Sequence, residues 1–209
     1  PASSLSEDEA VALVAEHLAA RVLGDLGWGK EASSLRERMR VLHEVLGDPW
    51  PDVSDEALAS TADQWLLPWA KRLANGGSLS KVAMLDALRS MLPWPDAARL
   101  DELAPEKMPI PSGGTRPIDW AGAHPVLTLR VQQAFGWTDT PRLVDGRVPL
   151  VLHLTDPAGR PAAVTSDLTS FWAGPYQDVR AQLRGRYPKH PWPEDPLHAE
   201  PTNRAKRRG

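Results

Sequence analysis

A chain of 209 residues with 42% hydrophobic and 24% charged residues has the composition of a globular protein and enough apolar material to bury a core. It contains no cysteine, which excludes disulfides and thiolate catalysis and removes the commonest zinc ligands. The net charge of −3 is uneven: residues 1–106 carry 10 Lys+Arg against 18 Asp+Glu, while residues 107–209 carry 14 against 9.

An acidic first half is a poor surface for nucleic acid. The basic end is a candidate one, because cations beside phosphates release counterions, although a basic end is also simply a solvated tail. No run approaches the ~18 apolar residues of a membrane span, and Pro1 to Leu5 lack the basic start and apolar run of a signal peptide. No membrane partner is therefore expected. A chain starting at Pro1 without an initiating Met reads as part of a longer protein, and the absence of cysteine suits a reducing cytoplasm.

The first half reads as helices. Ser6 and Glu9 fit a capping box ahead of Val11, Val14, Leu18 and Val22, with a stop at Gly24. A second helix is predicted from Lys30 to Leu46, carrying Leu35, Met39, Leu42 and Leu46 on one face and closed by Gly47. Ser54 can cap a third, with Leu58, Ala62, Trp65 and Leu66 inward, ended or kinked at Pro68. After the turn Asn75-Gly76-Gly77, Ser78 or Ser80 starts a fourth with Val82, Leu85, Leu88 and Leu92. Asp96 caps a short fifth through Leu103, ended by Pro105.

Beyond Pro105 the pattern changes. Short extended pieces at Met108–Ile110 and Ile118–Trp120 flank the turn Ser112-Gly113-Gly114. Pro125 suits the first turn of a helix running to Phe135 and closed by Gly136. Asp145-Gly146 marks a turn, Val148 to Leu154 reads as one apolar strand, and Asp156 to Pro161 is a hairpin loop to a partner at Ala162–Thr165. A helical turn at Asp167–Trp172 and a last helix from Pro175 to Leu183 follow. From Tyr187 the chain is rich in proline and charge and reads as extended. The predicted fold is α+β: an N-terminal helical bundle (1–105), a small mixed α/β domain with a β-hairpin (106–187), and an extended Pro-rich basic tail (188–209).

Pro49-Trp50-Pro51-Asp52, Pro93-Trp94-Pro95-Asp96 and Pro191-Trp192-Pro193-Glu194 are near copies of one another. Physically the prolines stiffen the approach, the acid sits near a helix start and the Trp packs as an anchor. The alternative is stacking of the rings on bases. No phosphate-binding Gly-x-x-x-x-Gly-Lys-Ser/Thr loop, Asp-Glu-x-His box or Gly-x-Ser-x-Gly elbow occurs. No two of the six histidines have metal-binding spacing on one helix face. His153, inside an apolar strand, reads as packed rather than as a general base. Ser166-Asp167 reads as a helix cap. What remains is a basic series with aromatics between: Arg180, Arg184, Arg186, Tyr187, Lys189, His190, Trp192, Arg204, Lys206, Arg207 and Arg208. Arginine forks suit phosphates and rings stack on unpaired bases, so any nucleic-acid binding is expected to be weakly sequence-specific and salt-sensitive.

Longer stretches carry a resemblance. Gly146 to Pro161 (GRVPLVLHLTDPAGRP), Asp167 to Trp172 (DLTSFW), Gly185 to Pro196 (GRYPKHPWPEDP) and Pro201 to Arg208 (PTNRAKRR) resemble the carboxy-terminal region of HrpB-type ATP-dependent helicases. Leu35 to Arg40, Trp50 to Asp55 and Trp65 to Trp69 are similar to it as well, so the likeness spans roughly residues 27–209. It implies a parent of the DEAH/RHA class that unwinds RNA 3′ to 5′ with ATP. The parent's motor domains, in the same polypeptide, would hold ATP and Mg. None of their motifs is present here, so the implication is an accessory region with no cofactor and no catalytic residue of its own. A protein-docking module that recruits a partner is the alternative.

Overall fold

The computed structural model describes Ser6, residues 8–10, 12–13 and 23–205, which fall into two compact units, residues 1–100 and 101–209. Val11, Val14, Leu18 and Val22 of the first expected helix, and Lys206, Arg207 and Arg208 of the tail, lie outside the described residues. At the chain's start the Ser6 and Glu9 backbone amides are each bonded to the other's side chain, as a capping box requires.

In the first unit α1 (Lys30–Leu46) has the predicted bounds, buries Leu35, Met39 and Leu42, and closes on Gly47 at φ 68°. The single helix expected after Ser54 is three: α2 (Asp55–Ser60), α3 (Ala62–Trp65) and α4 (Leu67–Ala74). Ser54 caps the first of them by accepting from the Ala57 amide. Thr61 interrupts it, because its hydroxyl and its amide both donate to the Ala57 carbonyl. The break expected at Pro68 is present: α3 ends at Trp65, and Pro68 stands in the first turn of α4, where its missing N–H costs nothing.

The fourth expected helix is also broken. A 3-10 turn (Leu79–Lys81) and extended Val82-Ala83 precede α5 (Met84–Ser90). Val82 is taken from the helix because Gly27 donates to its carbonyl at 3.0 Å. That approach requires glycine: a Cβ at Gly27 would lie 2.4 Å from the Val82 oxygen. Leu35, Met39, Leu58, Trp65, Leu66, Met84 and Leu88 form one core. Asp96 heads a 3-10 turn (Asp96–Arg99) rather than capping a helix, and the turn leads into α6 (Leu100–Leu103).

The second unit is a mixed sheet with two helices. Strands β1 (Lys107–Pro109), β2 (Thr115–Asp119), β3 (Val126–Arg130), β6 (Val151–Thr155) and β7 (Pro161–Thr165) are ordered β1-β2-β3-β6-β7. Neighbours are antiparallel except β3 and β6, which run parallel in the register Leu127↔Leu152 to Arg130↔Thr155. β4 (Arg142–Leu143) and β5 (Val148–Pro149) form a separate ribbon.

Three expectations are corrected here. The helix from Pro125 to Phe135 is strand β3 followed by a 3-10 turn at Val131–Gln133. Val-Leu-Thr-Leu-Arg alternates with a period of two, and Leu127 and Leu129 are buried while Thr128 is exposed. The single strand from Val148 to Leu154 divides at buried Leu150, whose amide turns away to the Pro141 carbonyl. His153 pairs with Thr128 on the exposed face of β6, so it is not a packed histidine.

Helices α7 (Leu168–Ala173) and α8 (Pro175–Leu183) have the expected starts. Asp167 caps α7 through the Ser170 amide, and Pro175 opens α8. They supply Phe171, Trp172 and Tyr176, which pack with Phe135 at ring separations between 5.2 and 6.3 Å. Such tilted and edge-on pairs add about 0.5–1.5 kcal/mol each beyond area burial.

Residues 187–205 hold no helix or strand, yet they do not hang free. They run as a strap across the second unit. Tyr176 Oη donates to the Pro193 carbonyl at 2.7 Å, Gly136 N–H to Pro196, and Thr202 N–H to Gln132. Asn203 closes the strap: its side-chain amide donates to the Ser112 carbonyl, and its Oδ1 accepts from Ser112 and Gln133. Prolines suit the extended path, and the carbonyls they leave exposed are the acceptors used.

Candidate nucleic-acid interface

The parallel strands β3 and β6 end side by side at Arg130 and Thr155. The next residue, Asp156, is only 4% exposed. Its Oδ1 accepts from the amides of Ala158 and Arg160, both at 2.9 Å, and its Oδ2 from the Tyr187 hydroxyl at 2.8 Å. Burial pushes this carboxyl up, but the two amides, the hydroxyl and the Arg160 charge outweigh it and hold it below the ordinary range. Donation to Asp156 in turn raises the Tyr187 phenol. One carboxylate thus ties the start of the strap to the β6–β7 turn.

The predicted basic series separates around this knot. Arg180 is used internally: its Nε donates to the Trp192 carbonyl at 2.7 Å, and its guanidinium lies 3.7 Å from Glu194. Trp192 is 8% exposed and its indole donates to the Tyr187 carbonyl. Its ring anchors the strap and offers no free face to a base. Arg184, Arg186, Lys189 and Arg204 are exposed, and none forms an ion pair among the described residues. The Arg186 guanidinium lies over the Tyr187 ring, 5.6 Å from its centroid, which holds a fork ready for a phosphate. His190 packs edge-on to Tyr187 at 6.4 Å; burial lowers its proton affinity and the nearby Arg130 charge lowers it further.

Two cations at this edge were not singled out in the sequence. Arg130 read as helical, which hid its place at a strand end, and Arg160 read as an ordinary loop residue. The three Pro-Trp-Pro copies also differ. Trp50 and Trp192 are buried anchors, whereas Trp94 is 69% exposed.

Elsewhere the charges satisfy one another. The first unit has a cleft of about 350 Å³ lined by Arg36, Glu37, Arg40, His43, Glu44 and Asp52. There Arg36 is bonded to Asp55, and Arg40 to Glu37 and Glu44. Among the described residues no group of three His, Asp or Glu is placed to hold a metal ion, and no helix is long and apolar enough to cross a membrane.

The second unit is thus a mixed α/β sheet closed by the strap, and comparison with known proteins gives the family of the chain. Residues 65–196 match the family described as HrpB_C, ATP-dependent helicase C-terminal, and the chain belongs to that family. It is similar to the ATP-dependent RNA helicase HrpB of Escherichia coli (strain K12), with 37% identity over 209 residues. The match takes in 99% of this chain and 26% of the relative, so the chain spans about a quarter of that protein's length. Among solved structures, the crystal structure of the E. coli DExH-box NTPase HrpB superposes with a TM-score of 0.82 at 37% identity, covering 98% of this chain and 26% of that one. The crystal structure of the Escherichia coli DEAH/RHA helicase HrpB gives 0.69 at 36% identity, covering 92% and 24%. The resemblance read from the sequence is borne out.

Proposed function

We propose that this chain is the C-terminal accessory region of an ATP-dependent 3′-to-5′ RNA helicase, non-catalytic by itself, which contributes weakly sequence-specific contacts to single-stranded RNA. ATP and Mg would be held by motor domains of the same polypeptide. The observation that carries the reading is the set Arg184, Arg186 and Lys189. These cations are exposed, unpaired among the described residues, and borne on the ordered segment that joins α8 to the strap, in a family whose E. coli relative is named an RNA helicase. Fluorescence anisotropy of a labelled single-stranded RNA, titrated with the chain at low salt, tests it. Binding should weaken steeply with salt, and Arg184→Gln with Arg186→Gln should weaken it by roughly tenfold. No binding at low salt would sink the reading.

A protein-docking role is the second reading, favoured by Trp94, an exposed ring between two prolines in the acidic half. Co-purification with the separately expressed motor part tests it. A complex that forms without RNA and is lost in Trp94→Ala supports docking; no retention counts against it.

A further inference from the structure

The C-terminal edge of the parallel pair β3/β6 brings together cations from three distant segments. Arg130 ends β3 and is paired in register with Thr155. Arg160 lies in the β6–β7 turn, its amide bonded to Asp156. Arg186 and Lys189 flank Tyr187, whose hydroxyl is bonded to that same Asp156. The strap holds the cluster from behind, since the Gln132 side chain, two residues after Arg130, donates to the Pro191 carbonyl at 3.3 Å. Arg160, Arg186 and Lys189 are exposed and Arg130 half-exposed, and none of the four forms an ion pair among the described residues.

Asp156 feels the Arg160 charge, but it forms no close ion pair with any of the four cations among the described residues. Its oxygens accept from two amides and the Tyr187 hydroxyl, and with no ion pair to Arg130, Arg160 or Arg186 among the described residues the three guanidinium forks are available to another acceptor. Cations spread over an open edge, rather than around a closed cavity, suit an extended polyanion more than a single small anion. Flat partners are also present, in the Tyr187 ring with its Arg186 lid and in the neighbouring His190 imidazole.

We infer that the β3/β6 edge, through Arg130 and Arg160 together with Arg186 and Lys189, is a seat for the sugar-phosphate backbone of single-stranded RNA. The inference rests on the RNA-contacting reading above and adds residues which that reading does not need. Asp156 is a positioning residue: it fixes the turn bearing Arg160 and the ring that carries Arg186.

The test measures binding of a fluorescein-labelled oligouridylate to the full 209-residue chain across a salt series. Each phosphate contact on a single strand adds about 0.7 to the slope of log K against log salt. Arg130→Gln with Arg160→Gln should therefore flatten the slope by about 1.4 and weaken low-salt binding by at least roughly tenfold. The lysine pair at the same positions should restore most of the slope. Lys71→Gln with Lys81→Gln, which removes the same charge from exposed sites of the first unit, should change neither quantity. Thermal melts confirm folding; if the double variant does not fold, Arg160→Gln alone, in an exposed turn, should flatten the slope by about 0.7. An unchanged slope in a chain that still binds RNA overturns this inference and leaves the broader reading standing. No binding by the unaltered chain overturns both. Equal weakening by the Lys71 and Lys81 changes, or binding to phosphatidylserine vesicles but not to the oligomer, overturns the inference as well.

Discussion

Asp156 is the residue on which the candidate interface turns. It is buried, charged and fully bonded, and its three donors come from two segments of the chain. Asp156→Ala leaves two amides and a phenol without their acceptor and should cost about 2–3 kcal/mol, while Tyr187→Phe should cost about 1 kcal/mol. Because the carboxyl is held below its unfolded value of about 3.9, its contribution is complete above that pH and fades as pH falls through the folded value. The gap in melting temperature between the unaltered chain and Asp156→Ala should therefore be widest near neutrality and shrink below about pH 4. A gap that grows on acidification would contradict this account. None of this was legible in the sequence, where Asp156 is one acid in a hairpin loop, because its partner Tyr187 lies 31 positions away.

At the scale of elements, helices and strands with a strong local period were legible, and those decided by long-range pairing were not. α1 carries four apolar residues at helical spacing and a Gly at its end, and its bounds match expectation. α8 has Pro at its start and a Tyr–Val face, and it matches as well. β3 was misread because Pro125 is an equally good opening for a helix, and only pairing on both edges with β2 and β6 decides the matter. The Pro-Trp-Pro motif carries the same lesson. Identical local sequence gives a buried Trp192 and an exposed Trp94, because only the former has α8 and Tyr187 to pack on and donate to. Trp192→Ala should lower stability by about 3–5 kcal/mol and loosen the strap, whereas Trp94→Ala should fall within about 0.5 kcal/mol of the unaltered chain. Denaturant unfolding of both variants, with proteolysis at Lys189 as a probe of strap release, checks the contrast.

At the scale of the whole molecule, the chain divides after Leu100 into two units, the first built from helices and the second around a sheet. The charge asymmetry follows the same division. The fold puts individual charges to different uses: Arg180 is consumed by the strap and Arg40 by a helix-surface ladder, while Arg130 and Arg160, unremarkable in sequence, lie at the same end of the sheet. The family was legible because GRYPKHPWPEDP is a long and unusual stretch. In the structure it forms the first half of the strap, where its prolines stiffen the path and the carbonyls of Tyr187, Trp192, Pro193 and Glu194 accept hydrogen bonds.

The strap closes the second unit through Asn203 on Ser112, a contact spanning 91 positions. During synthesis the β1–β2 hairpin emerges long before its clasp. The buried core of the first unit lies within residues 23–88, whereas the strap acceptors at Pro193, Pro196 and Asn203 follow every strand and helix of the second unit. A chain cut before Asn203 keeps every residue of the first unit's core but leaves the β1–β2 turn without its clasp, so limited proteolysis of such a truncation should cut the second unit first.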